Sequence, residues 1–154
     1  MTTTTKKRVF FSILLLAAAG LITGYMLWNK SHFSIKNADP AAIISANELQ
    51  QTFSTDSVTA KNKFIGDENN KKVIEVNGLV TELKQDQKKQ DVILLKTATD
   101  GAFINCTFEE KITGIKVGDN IVLKGMCTGY NFDADMGIPG DVVLVRCYLI
   151  KNKN

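Results

Sequence analysis

The residues best equipped for chemistry gather in CTGYNFDADMGIPGDVVLVRC, from Cys127 to Cys147. Two thiols bracketing a run of aspartates admit three readings: a disulfide, part of a metal site, or two small buried side chains. Zinc takes four thiolate, imidazole or carboxylate ligands. The third cysteine, Cys106, and the single histidine, His32 far upstream, do not complete such a set. Asp133, Asp135 and Asp141 offer oxygens to calcium, but their spacing lacks the twelve-position loop and closing glutamate of an EF-hand. No metal site is assigned on this pattern, and no cofactor is implied.

Catalytic constellations are missing from the pattern too. The chain has no G-x-S-x-G, no H-E-x-x-H, no glycine-rich phosphate loop and no C-x-x-C, and its C-terminal hundred residues hold no histidine. Glu109 and Glu110 are neighbouring acids near a turn, a common solvated arrangement. The expectation is a protein that is not an enzyme.

Alternation assigns faces to the sulfurs. Cys127 alternates with Ile121, Leu123 and Gly125, Cys147 with Val143, Val145 and Leu149, and Cys106 with Ala102, Ile104 and Phe108. All three thiols are therefore predicted to point into an apolar interior. A hairpin centred near Gly137 sets Cys127 opposite Cys147, close enough for bonding. Closing a loop of about 20 residues would contribute roughly 3 kcal/mol in the chain-entropy view. Three reduced core thiols are the alternative, since free cysteine is itself a favoured buried residue.

The elements that must position these residues follow from the rest of the chain. Lys6, Lys7 and Arg8 close a basic segment at 1–8, and Val9 to Trp28 then runs twenty residues without a charge. That length crosses a bilayer's hydrocarbon core as a helix. The basic flank holds the N-terminus in the cytoplasm, with Tyr25 and Trp28 at the interface. A cleavable signal peptide ending near Ala17-Ala18-Ala19 is the competing reading. Residues 29–44, with Pro40, read as a linker, and 45–151 as the exported domain. On this reading the protein is a single-pass inner-membrane protein whose domain is periplasmic.

Of the formal charge of +3, Lys6, Lys7 and Arg8 supply the whole excess, so everything after them is formally neutral. A neutral domain is poorly suited to gripping a phosphate backbone, where affinity comes mainly from neutralised charge.

Ser45-Ala46-Asn47-Glu48 has the S-x-x-E form of a capping box. Leu49, Phe53, Ser57, Ala60 and Phe64 then recur at helical spacing, predicting a helix interrupted near Thr55-Asp56 and finished by Gly66. From Lys72 the period falls to two, through VIEVNGLVTEL, DVILLKT, GAFINCTFE, DNIVLKGMCTGY and DVVLVRCYLI. Five strands behind one helical segment predict a small closed barrel, because closure removes the sheet edges. Gly78 marks a bend in the first strand.

The run SANELQQTFSTDSVTAKNKFIGDENNKKVIEVNGLV, then INCTF, VGDNIVLKGMCTGY and GDVVLVRC, resembles the tRNA_anti-like family of small bacterial OB-fold proteins over about Ser45 to Ile150. The resemblance implies a mainly β fold, a five-stranded OB barrel with an N-terminal helical lead-in, here preceded by one transmembrane helix. It implies no catalytic residue. Two departures stand out: Phe64 replaces a common aromatic hydroxyl, and NFDADMGIPG lengthens the loop before the last strand.

With Val80 paired to Leu94 and Leu94 to Ile104, the interior would hold Ile74, Val76, Val80, Leu94, Ile104 and Phe108. Leu79, Ile93, Leu95 and Phe103 would then form an exterior apolar patch over the strands where OB-folds commonly bind ligands. Tyr130 and Tyr148 add aromatic surface. The competing reading covers that patch with the helix at 45–64. The expected function is a membrane-anchored binding module for an envelope protein, glycan or small ligand. The alternative is a single-stranded nucleic-acid binder using Phe103, Tyr130 and Tyr148 with Lys84, Lys88 and Lys89.

Overall fold

The computed structural model describes residues 18–25, 34–67, 70–133 and 137–152. It divides into two compact units, Met1–Phe33 and Ser34–Asn154. In the first, residues 18–25 are helical and exposed. The rest of the 9–28 span, the basic segment 1–8 and His32 lie outside the described residues. Among the described residues no helix is long and apolar enough to cross a membrane.

The second unit begins with Ile35, which is fully buried. The Ala41 amide donates to the Val73 carbonyl, leading into strand β1 (Ala42–Ser45). Part of the stretch read as a linker is thus ordered structure. Helix α1 (Ala46–Thr55) starts where the capping box predicts. The Glu48 amide donates to Ser45 Oγ at 3.2 Å, and the Ser45 amide donates to Glu48 Oε2 at 3.1 Å. Those bonds to Ser45 hold the Glu48 carboxyl below its usual value. The predicted interruption falls at Asp56, whose Oδ1 accepts from the amides of Val58 and Thr59 and so starts α2 (Ser57–Phe64).

Strands β2 (Ile74–Gln85), β3 (Asp91–Lys96), β4 (Phe103–Phe108), β5 (Asn120–Asp133) and β6 (Ile138–Asn152) follow. Their order is β2-β3-β4-β6-β5, and β5 pairs back onto β2 to close a five-stranded barrel. The β4–β6 pair is parallel and the other barrel pairs are antiparallel; β1 adds a short parallel strand beside β2. Leu49, Phe53, Ala60 and Phe64 share one buried cluster with barrel residues including Ile74, Val76, Leu95, Ile104 and Leu144. The helices therefore plug one end of the barrel and do not lie over its outer wall. Gly78 serves that plug: a Cβ there would lie 3.0 Å from the Ala46 Cβ.

Two registers differ from expectation, each through a bulge. Thr81 is an extra residue in β2, so Val80 pairs with Leu95 and Glu82 with Leu94. The slip carries into β4, where Leu95 pairs with Ile104. Every side chain of β3 consequently changes face. Ile93 and Leu95, expected outside, are fully buried core residues, while Leu94, expected inside, joins Val92 on the outer face.

In the β5–β6 hairpin the register shifts four times, and Cys127 pairs with Leu144. One shift coincides with Arg146, whose φ of +53° is left-handed and unusual for a side chain of that size. Cys147 instead pairs with Phe108 of β4. The expected Cys127–Cys147 bond is thereby displaced: the two residues are not opposed, and Cys106, Cys127 and Cys147 are free thiols. All three are buried, as the alternation indicates. Burial raises the Cys127 thiol to about 11. Burial, then the neighbouring Cys106 thiol, raises that of Cys147.

Candidate ligand-binding surface

Once Ile93 and Leu95 move inside, the predicted exterior patch no longer exists as an open surface. Val92 and Leu94, which take their places on the outer face, are nearly covered. Leu79 is half-buried in a polar cleft of about 360 Å³ with Asn77, Lys96 and Asn120. Phe103 is also half-buried, beside Lys96 in the register, and its amide donates to Asp141 Oδ1 at 2.7 Å. That bond ties β4 to β6 and gives Asp141 a structural task. Among the described residues no group of three or more His, Cys, Asp or Glu could hold a metal ion.

Tyr130 and Tyr148, grouped with the patch by the sequence, belong to separate sites. Tyr148 donates its hydroxyl to Glu109 Oε2 at 2.9 Å, and the same oxygen accepts from Arg146 Nε at 2.9 Å. The Lys36 ammonium lies 6.0 Å from the Tyr148 ring centre. Partial desolvation and then Glu109 raise the Tyr148 hydroxyl above its ordinary value. The left-handed turn at Arg146 places this cluster on the barrel wall.

Tyr130 is the third of four rings in a ladder that runs from the core to solvent. Phe64 and Phe53 meet at 6.1 Å between ring centres, Phe53 stacks on Tyr130 at 5.5 Å, and Tyr130 stacks on Phe132 at 6.1 Å with planes only 3° apart. Such offset stacks are favourable beyond the area they bury. Phe64 and Phe53 are buried, Tyr130 is half-buried, and Phe132 is 58% exposed.

Gly140 makes the ladder possible. A Cβ there would lie 2.3 Å from the Tyr130 ring, so only glycine lets the ring settle against β6. Burial raises the Tyr130 hydroxyl above its ordinary value, partly offset by the Gly140 amide that donates to it.

Phe132 was absent from the sequence-derived site. The available signal was an aromatic residue between Asn131 and Asp133 at the mouth of the long loop, where a core residue would be flanked differently. Phe53 and Gly140 lie too far apart in sequence for their relation to Tyr130 to be read from spacing.

The tRNA_anti-like family model matches residues 1–148. Comparison with curated proteins returned no match. Among solved structures, "OBody AM3L09 bound to hen egg-white lysozyme" aligns at 16% identity over 54% of this chain and 84% of its own, with a TM-score of 0.35. The family model spans nearly the whole sequence; the chain belongs to the tRNA_anti-like family.

Proposed function

We propose that this protein is a non-catalytic binding module of the cell envelope, held at the outer face of the inner membrane by residues 9–28, which grips its ligand by stacking on Phe132. The observation that carries the reading is the ring ladder. Phe132 is a large apolar ring left 58% exposed, yet it is backed by Tyr130 and, beneath that, by the buried Phe53. A rigid exposed ring contacts a flat ligand with little ordering cost. Sugar rings, aromatic side chains and nucleobases all offer such a face.

Overall neutrality after Arg8 favours an uncharged envelope ligand, a glycan or a protein loop, over a polyphosphate. The nucleic-acid reading keeps one specific support, because the exposed Phe132 ring, parallel to Tyr130 behind it, also suits a stacked base.

The test immobilises the full chain in detergent and compares wild type with Phe132→Ala. The probes are a panel of envelope oligosaccharides, an envelope-protein extract and oligothymidylate. Capture of a glycan or envelope protein that falls at least tenfold in the variant supports the reading. Capture unaffected by Phe132→Ala refutes it, and salt-sensitive capture of oligothymidylate alone replaces it with the alternative.

A further inference from the structure

We infer that a cleft on the barrel wall, between the start of α1, the middle of β2 and the end of β3, binds a sugar acid such as a hexuronate. The cleft holds about 360 Å³, at the small end of ligand pockets. Strand β2 builds its floor: Asn77 pairs with Ser45 of β1 on one side, and Leu79 pairs with Asn120 of β5 on the other. Asn47 and Lys96 extend the polar lining. The walls are tied together. Thr97 Oγ1 donates to the Ala102 carbonyl at 2.7 Å and fixes the turn after β3, and Thr99 Oγ1 donates to Gln50 Oε1 on α1 at 3.1 Å. The cleft is therefore preformed.

The chemistry of the lining selects the ligand. Asn47, Asn77 and Asn120 carry carboxamides, each able to donate and to accept. Asn77 is half-buried; its Nδ2 donates to the Ile44 carbonyl at 3.4 Å, while its side-chain oxygen has no partner among the described residues. The side chains of Asn47, Lys96 and Asn120 likewise have none there. A fully ionised phosphate or sulfate only accepts, and would leave the carboxamide oxygens unpaired. Hydroxyl groups both donate and accept, so the neighbouring hydroxyls of a sugar ring match the asparagines.

Lys96 carries the only formal charge in the lining. The acids next along the chain are turned to other partners. Glu48 Oε2 accepts from the Ser45 amide and hydroxyl, and Asp119 Oδ2 accepts from the Lys116 amide and the Asn152 side chain. Asp100, exposed on the turn after β3, does not line the cleft. One cation beside three carboxamides fits one carboxylate on a hydroxylated ring. Leu79, half-buried among them, offers an aliphatic contact to the C–H face of that ring. The cleft shares no residue with the Phe132 ladder, so this inference does not depend on the stacking function proposed above.

The experiment titrates the full chain in detergent with glucuronate and follows backbone amide shifts, with glucose and acetate as controls that each carry one half of the chemistry. Expected are shifts at Asn47, Asn77, Lys96 and Asn120, with glucuronate bound more tightly than either control. A charge-assisted hydrogen bond is worth roughly a tenfold factor or more, so Lys96→Gln should weaken glucuronate by about that much and bring it level with glucose. Asn77→Ala should weaken glucuronate and glucose alike, by about threefold or more. The methyl glycoside of glucuronate separates the sources: retained affinity assigns the cleft to a residue linked in a glycan, lost affinity to the free acid, and either supports the inference. Equal affinity for glucuronate and acetate overturns it, as do the absence of shifts at the four residues and an affinity unchanged in both variants. Phe132→Ala should leave the titration as it is, so failure of the stacking function and failure of the cleft read out separately, and glucuronate binding lost in that variant also overturns the inference.

Discussion

Where β5 turns into β6, two capped helices send Leu49, Phe53 and Phe64 into the barrel mouth, and the seal continues outward as stacked rings to Phe132. At the opposite end no helix is found among the described residues of the domain, and the loop after β4 covers the core with Ile112 and Ile115, both half-buried. One end is thick, aromatic and layered; the other is thin and aliphatic, with Lys84, Lys88, Lys89 and Lys111 interleaved with Asp86, Asp91, Glu109 and Glu110. The two ends of one barrel are thus closed by unlike means.

The comparison predicts unequal responses to truncation. Phe53→Ala removes a ring that joins helix, barrel and ladder, and it should destabilise by about 3–5 kcal/mol. Ile115→Ala at the other end should cost about 1 kcal/mol, in keeping with its partial burial. Denaturant unfolding of the two variants checks the difference, and equal losses would break the asymmetry.

Next in size is the close approach of glycine to neighbouring side chains. A Cβ on Gly125 would lie 2.7 Å from Cys147 Sγ, so Gly125→Ala should cost about 1–3 kcal/mol by overpacking. Adding Cys147→Ala should recover part of that loss, because the two positions are in contact. Gly140→Ala should carry a similar cost and also displace Tyr130, visible as a change in near-ultraviolet circular dichroism. Absence of coupling at Gly125, or an unchanged aromatic signal at Gly140, would contradict the packing described.

The capping box gives a smaller effect. Ser45→Ala should destabilise by about 1 kcal/mol, checked by thermal unfolding, with the loss confined to the helix-plugged end in hydrogen exchange.

The smallest prediction concerns alkaline pH. Burial raises the Cys127 thiol from 9.0 to about 11. Because the folded value exceeds the unfolded one, its contribution to stability is fully present below about pH 9 and is lost as pH rises through about 11. Cys147 is raised in the same direction and adds to the same slope. Cys127→Ala should flatten the fall in stability over that window, and an unchanged slope would contradict the burial of this thiol.

The helical lead-in was legible because its signals are local: Ser45 and Glu48 sit three residues apart, and Asp56 interrupts the apolar stripe. The strands were legible from alternation, and the barrel from their number and the need to close edges. The faces of β3 were not, because Thr81 carries no mark of being an extra residue; the bulge serves the curvature of a closed barrel, which spacing does not record. The Cys127–Cys147 pairing failed for the same reason at Arg146, a residue whose type gives no hint of a left-handed turn. The ladder depends on Phe53 and Tyr130, which meet only when helix and hairpin come together at one end of the barrel.

The most direct test measures two readouts on two variants of the full chain: ligand capture and stability to denaturant, in Phe132→Ala and in Phe53→Ala. If the exposed ring binds and the buried ring holds the barrel end, Phe132→Ala loses capture at nearly unchanged stability, and Phe53→Ala loses stability. Capture unchanged in Phe132→Ala, or equal destabilisation by the two variants, would contradict the account.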